Sequence, residues 1–116
     1  MLTLYGIPNC NTVKKARSWL ESNGIDYTFH DFKKNGVSQP LLQAWLQQQP
    51  WEKLVNRAGL TWRGLSEEIK ASVNNNDAAL QLMLEKPSVI KRPVMVQDEK
   101  ILSLGFVEAD YNRLLK

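Results

Sequence analysis

Three short segments at the start of the chain constrain its fold more than anything else in it. Met1 to Tyr5 is an apolar run containing Thr and Tyr, closed by Gly6 and Pro8, and reads as a buried strand that runs into a loop. From Thr12 to Asn23 the apolar residues Val13, Ala16 and Leu20, with Trp19 beside them, recur at helical spacing, and Asn23-Gly24 is a stop signal. Asn11 or Thr12 is placed to cap this helix. Ile25 to Phe32 then alternates, with Tyr27 and Phe29 on one face, as a half-exposed strand does. Strand, helix and strand in succession have one strongly favoured arrangement, a right-handed crossover that leaves the two strands parallel.

Lys33 to Gly36 breaks the pattern, and the middle of the chain reads as helical. Ser38, as a cap ahead of Pro40, opens a helix through Leu42, Trp45 and Leu46 that ends at Pro50; a short helical stretch carries Trp51, Leu54 and Val55. Ala58 to Gly64 reads as irregular. Leu65 to Val73 and Asp77 to Glu85 are again helical, separated by Asn74-Asn75-Asn76, with Asp77 as the cap of the second. Lys86-Pro87 ends the helical block. Val94-Met95-Val96 and Ile101 to Leu104, joined by a tight turn at Gln97 to Lys100, predict an antiparallel hairpin. A closing helix over Phe106 to Leu115 offers Phe106, Val107, Tyr111, Leu114 and Leu115 for packing on the sheet.

No repeat, low-complexity tract or linker interrupts the 116 residues, a length that suits one domain with its own core. The expected class is α/β: a thioredoxin-like mixed sheet, β-α-β followed by β-β-α, with an inserted helical subdomain. The core is expected over 1–36 and 87–116 and the insertion over 37–86.

Cys10 is the only cysteine, so no internal disulfide exists, and it falls where the first strand gives way to the helix. Two roles suit such a residue: a small buried core thiol, or a nucleophile. A helix that begins just after the cysteine turns unpaired N–H groups and the positive end of its dipole toward the sulfur, which favours thiolate over thiol. The polar neighbours Asn9, Asn11 and Thr12 and the lysines beyond them favour the second role. Lys14, in the first helical turn, is a candidate to lower the thiol pKa or to meet a ligand carboxylate. Arg92-Pro93 is the second informative feature, since a proline directly before a strand has a fixed φ and no N–H donor. Arg92 adds a permanent planar cation suited to a carboxylate, an oxyanion or a thiolate.

The Cys10 segment, the stretch Lys86-Pro87-Ser88-Val89-Ile90-Lys91-Arg92-Pro93-Val94 and the terminal Leu104-Gly105-Phe106, in this order on this layout, resemble the arsenate reductase (ArsC) family of the glutaredoxin-linked type. That family includes the Spx regulators and the YffB branch, to which the chain is most similar. The resemblance implies that Pro93 is cis, faces the active cysteine and pairs with an extended thiol peptide such as glutathione. It also implies an anion-binding arginine on the helical insertion at Arg57. The expected catalytic residues are Cys10 and Arg92, and the expected substrate-binding residues are Asn9, Asn11, Thr12, Lys14, Arg57 and Pro93.

Position 13 is Val, so the chain has no Cys-x-x-Cys pair and an outside thiol must resolve any mixed disulfide. The expected reaction is therefore a monothiol cycle, with glutathione as reducing co-substrate, glutaredoxin as a further partner and no metal. Two alternatives remain. One is arsenate reduction, against which stand Leu104-Gly105-Phe106, where the resembling arsenate reductases carry a further arginine, and a glycine ahead of Ile7-Pro8-Asn9-Cys10, where they carry a histidine. The other is a non-catalytic Spx-like protein that binds RNA polymerase, although the Cys-x-x-Cys switch of those regulators is missing.

His30 is expected at an exposed edge position of the second strand. No metal-ligand spacing, phosphate-cradling Gly-rich loop or Ser-His-Asp pattern is present. The formal charge of +3 suits a small anion at least as well as nucleic acid, and no concentrated basic helix points to direct nucleic-acid binding. No apolar run is long enough to span a bilayer. The lone cysteine and the lack of a leader pattern at the N-terminus predict a reducing, cytoplasmic setting.

Overall fold

The computed structural model describes all residues, 1–116. In chain order the elements are β1 (Leu2–Gly6), α1 (Asn11–Ser22), β2 (Thr28–Asp31), α2 (Phe32–Asn35), α3 (Gln39–Gln48), α4 (Trp51–Leu54), α5 (Leu60–Arg63), α6 (Glu67–Ser72), α7 (Asn76–Glu85), a 3₁₀ turn (Pro87–Val89), β3 (Val94–Gln97), β4 (Lys100–Leu104) and α8 (Glu108–Leu115). They form two compact units, one of Met1–Asn35 with Arg92–Lys116, the other of Gly36–Lys91.

The first unit is built on a four-stranded mixed sheet in the order β2-β1-β3-β4. β1 and β2 are parallel, with Leu4 opposite Phe29 and Tyr5 opposite His30, as the intervening helix requires. β3 runs antiparallel to both β1 and β4. Because side chains alternate along a strand, Leu2 and Leu4 fall on one face and Thr3 and Tyr5 on the other. The first face is closed by α1 and α8. Leu2, Leu4, Met95, Ala16, Trp19, Leu20 and Tyr111 form one buried cluster there, with Tyr27, Phe29, Leu102, Phe106 and Leu114 packed against it. The Tyr111 ring meets Trp19 edge-on at 5.6 Å and Phe106 at 4.7 Å, the geometry aromatic quadrupoles prefer. The helical stripe anticipated for α1 is the buried one, Val13, Ala16, Trp19 and Leu20.

Several boundaries differ from the sequence reading, each for a physical reason. β2 is shorter: Ile25 and Tyr27 pack on the core from a loop, and Phe32 starts a single helical turn instead of ending the strand. The Tyr27 hydroxyl donates to Glu21 at 2.6 Å and accepts from Arg17 at 3.0 Å, while the Arg17 guanidinium lies 4.1 Å above the Phe29 ring, so α1 is tied to β2 through side chains. His30 lies on an edge strand but is half-buried, with its ring 4.8 Å from that of Tyr5. At the other end Val107 precedes α8 as its N-cap and is exposed, leaving Phe106 and Tyr111 to pack.

In the second unit Ser38 caps α3, with its hydroxyl accepting from the Leu41 N–H at 3.3 Å. α7 is capped by Asn75 and not by Asp77: the Asn75 side chain accepts from Ala78 at 2.9 Å, which starts the helix one residue earlier. Leu60–Arg63, read as irregular, is one helical turn. Leu42 and Trp45 of α3, Ala79, Leu80, Leu82 and Met83 of α7, and Leu54, Val55, Val73, Val89 and Ile90 are the buried apolar side chains of this unit. A bridge between Val55 and Ile90, with Asn56 N–H donating to Val89 at 2.8 Å and Lys91 N–H to Leu54 at 2.7 Å, fastens residues 87–91 to this unit.

Candidate active site

Gly6 is where the site begins, because the chain must turn from β1 into α1 within a few residues. A Cβ on Gly6 would stand 2.8 Å from Val13 Cγ2, so glycine at the strand end leaves the room that the Val13 side chain takes up in the first turn of α1. The turn is closed by Cys10 N–H donating to the Ile7 carbonyl at 3.2 Å, and the Cys10 carbonyl accepts the first helical bond from Lys14 N–H at 2.9 Å. Cys10 is thus the N-cap itself, with extended dihedrals of −91° and 126°. Asn11 and Thr12 are the first helical residues and not caps, which corrects the sequence reading; the chain bends at Ile7–Cys10, one residue earlier than a polar cap demands.

Cys10 is half-buried and unoxidised. Its sulfur makes no capping hydrogen bond of regular geometry, so what governs it is the field of the groups around it. Burial alone pushes the thiol up. Against it act the Val13 N–H, a hydrogen bond from the Arg92 side chain, the Thr12 N–H and the charge of Arg92, and together they hold the thiol below its ordinary value of 9.0. The balance is physical: N–H groups left unpaired at a helix start and a permanently charged guanidinium both favour the anion. The sulfur thus lies at a helix N-terminus with a cation beside it, surroundings that favour its anion.

Arg92 reaches the thiol from the loop before β3. The Arg92-Pro93 bond is cis, and Pro93 is buried. The Pro93 carbonyl accepts the Gly105 N–H at 2.8 Å, the rung beyond the Val94–Leu104 pair, so the β3–β4 ladder holds this loop at its far end. Gly105 has a φ of 82°, in the left-handed region that favours glycine. The Tyr111 hydroxyl, wholly buried, donates to the Gly105 carbonyl at 3.5 Å.

The structure thus brings together Cys10, Arg92 and the N–H groups of Thr12 and Val13, with the cis-bonded Pro93 next to Arg92 in the loop. Asn9, Asn11 and Lys14 are exposed, and Lys14 is not among the groups that act on the Cys10 thiol. Arg57, also exposed, belongs to the second unit, where its guanidinium stands 5.4 Å from the Trp51 ring centre. Sequence reasoning missed Gly6 and Gly105; the available signal was a glycine at the end of each of two strands that flank the site. No three His, Cys, Asp or Glu side chains are grouped to hold a metal ion, and no helix is long and apolar enough to cross a membrane.

Comparison with known proteins places this geometry. A solved structure described as YffB (PA3664) protein superposes with a TM-score of 0.93 at 40% identity and covers the whole of both chains. An arsenate reductase (ArsC) related protein from Brucella melitensis is 50% identical, with a TM-score of 0.79 over 99% of this chain and 94% of that one. The global transcriptional regulator Spx of Enterococcus faecalis is 31% identical over 99% of this chain and 86% of its own. The family model for ArsC matches residues 5–114, and with it the thioredoxin-like sheet, the Cys10 loop and the Arg92-Pro93 loop: this chain is a member of the ArsC family.

Proposed function

We propose that the protein is a glutathione-dependent thiol reductase that uses Cys10 as its single nucleophile. The observation that carries this reading is the pairing of a half-exposed sulfur at the α1 N-terminus with the Arg92 guanidinium, which together favour thiolate. In the first step the Cys10 thiolate attacks one sulfur of a disulfide; a bond forms between Cys10 and that sulfur, the disulfide bond breaks, and the second sulfur leaves as thiolate. Glutathione thiolate then attacks the Cys10 sulfur of the mixed disulfide, expelling the substrate as thiol, and a second glutathione frees Cys10 with formation of glutathione disulfide. With Val13 in place of a resolving cysteine, both electrons come from the external thiol. Arg92 holds the thiolate before attack and stabilises it again as leaving group.

Reduction of bis(2-hydroxyethyl) disulfide by glutathione tests the reading. The expected result is turnover first order in protein that Cys10→Ser abolishes; full activity in that variant ends the proposal. Arsenate reduction is the second reading, favoured by the arginine beside a nucleophilic sulfur and by the similarity to a protein described as arsenate reductase related. Against it, the segment directly after β4 carries no arginine, being Leu104-Gly105-Phe106, and loss of one donor to a bound oxyanion costs about 2.7–4 kcal/mol of transition-state stabilisation. Arsenate with glutathione and glutaredoxin distinguishes the two readings, since robust turnover there reverses the order. A regulator that binds RNA polymerase is instead indicated by recovery of polymerase on the immobilised protein together with no glutathione-dependent turnover.

A further inference from the structure

A groove of about 540 Å³ runs along α1, lined by Lys14, Lys15, Ser18, Trp19, Ser22, Phe106 and Glu108. Its placement follows from helical spacing. Lys14, Ser18 and Ser22 are four apart and share one face of α1, whose N-terminal end is capped by Cys10, and helical side chains lean toward the N-terminus, which directs the Lys14 ammonium toward the end of the groove nearer Cys10. The floor is apolar, formed by the outer edge of Trp19 and by half-buried Phe106, both anchored on Tyr111. One wall carries two ammonium groups that no carboxylate of the protein pairs, the other the single carboxylate of Glu108. The groove therefore presents net positive charge at the end nearest Cys10 and aromatic surface farther along.

We propose that this groove docks an extended acidic polypeptide segment flanking the disulfide-bonded cysteine that Cys10 attacks, so that the substrate is an oxidised cysteine of a protein and not a small free disulfide. This rests on the thiol reductase reading and narrows its substrate. Length decides between a polypeptide and glutathione itself. From Cys10 to Ser22 the helix rises about 18 Å at 1.5 Å per residue, whereas a tripeptide held by its central cysteine extends only about 3.5 Å per residue to either side. Glutathione attached at Cys10 covers the lysine end at most. Trp19 lies about 13 Å along the axis, which an extended chain reaches about four residues from its cysteine. The fitting segment thus has acidic residues one or two positions from its cysteine and a bulky apolar residue near the fourth.

Two measurements test this separately from the reading it rests on. Cys10→Ser protein is titrated into fluorescein-labelled peptides of that pattern, with serine for cysteine, and into their charge-reversed counterparts. At low salt the acidic peptide binds at least tenfold more tightly, the preference shrinks as salt is added, and Lys14→Glu with Lys15→Glu removes it. Equal binding of the two peptides, a preference that survives both substitutions, or displacement by millimolar glutathione as effective as by unlabelled peptide overturns the proposal. The wild-type protein is then mixed with each cysteine peptide as its mixed disulfide with thionitrobenzoate, where attack on the peptide sulfur expels the coloured thiolate. Rates divided by the same protein's rate with bis(2-hydroxyethyl) disulfide, which cancels differences in Cys10 itself, favour the acidic peptide about tenfold. Selective binding with no exchange toward any disulfide leaves the groove standing and refutes the thiol chemistry; exchange without selectivity does the reverse.

Discussion

Replacing Arg92 by methionine removes the cation beside Cys10 while keeping an unbranched side chain of similar reach, and it tests the electrostatic argument directly. A hydrogen bond from a charged donor contributes about 1.5–3 kcal/mol in a protein interior. Cys10 is only half-buried, and solvent screens the interaction, so about 1–1.5 kcal/mol is the part that survives. This corresponds to a five- to tenfold fall in the thiolate-to-thiol ratio, at about 1.36 kcal/mol per tenfold. Nucleophilicity moves the other way: a thiolate of higher pKa is intrinsically more reactive, with a Brønsted slope of about 0.4–0.5. About half of the logarithmic loss is recovered, and the net effect at pH 6.5 is a two- to threefold slower reaction.

The assay is alkylation of Cys10 by iodoacetamide as a function of pH, read by intact mass. Below the thiol pKa the variant reacts about two- to threefold more slowly than wild type, and above pH 10, where both are ionised, it reacts about two- to threefold faster. The two profiles therefore cross. A merely structural role for Arg92 changes access to the sulfur and displaces both limbs in one direction. Profiles that superimpose, or that run parallel without crossing, refute the assignment of Arg92 as the thiolate's partner.

Other substitutions probe the scaffold around the site. Gly105→Ala forces a Cβ into the left-handed region at φ 82°, at a cost of about 1–2 kcal/mol; with an unfolding entropy near 2.1 cal/mol/K per residue the melting temperature falls by about 4–8 °C. No fall in a thermal melt ends that argument. Tyr111, whose burial pushes its hydroxyl up to about 12, stays protonated in the folded state while an unfolded tyrosine loses its proton near pH 10. The unfolded state then binds fewer protons, so stability falls between pH 10 and 12, by on the order of 2–3 kcal/mol. Urea titrations at pH 9 and pH 11.5 are expected to show this loss in wild type and much less of it in Tyr111→Phe. In the β3–β4 turn Asp98 and Glu99 both have positive φ, 51° and 69°, so Glu99→Gly gives the Asp-Gly pair such turns favour and raises the melting temperature by about 4 °C, or roughly 1 kcal/mol. Val13→Cys places a second thiol three residues from Cys10, within the separation a disulfide spans; one stoichiometric round of disulfide reduction then goes to completion without glutathione, leaving an internal disulfide in the protein, and a variant that stays trapped as a mixed disulfide contradicts the monothiol account.

Where the periodicity was strong, sequence and structure agree closely: the stripe Val13, Ala16, Trp19 and Leu20 and the hairpin of β3 and β4 lie where their patterns put them. Local pattern fails where tertiary packing replaces it. Ile25 and Tyr27 alternate like a strand but are held by core contacts and by the Arg17–Tyr27–Glu21 bonds, and Leu60–Arg63 is one helical turn with an exposed leucine, too short to show a period. Polar residues in a row, Asn74-Asn75-Asn76-Asp77, leave the cap position undetermined until the Asn75–Ala78 bond selects it. In the site, Cys10 is legible from its place before a helix, whereas its pairing with Arg92 follows only from family resemblance, because nothing local in either segment encodes a contact across the sheet. The groove is the least legible feature. It joins α1 to the loop before α8 at the opposite end of the chain, and Lys15, Ser18 and Ser22 read as an ordinary solvated helix face.

Two residues with no side-chain chemistry set the terms for two of the groups that act on the sulfur. Val13 can present its N–H to Cys10 because Gly6 leaves room for its isopropyl group, which a Cβ would meet at 2.8 Å. Arg92 can present its guanidinium because Gly105, in a conformation other residues avoid, ties the following Pro93 carbonyl to the end of the β4 ladder. One glycine supplies space and the other a dihedral angle, and each supports one of the groups that hold the thiol below its ordinary value, Val13 and Arg92.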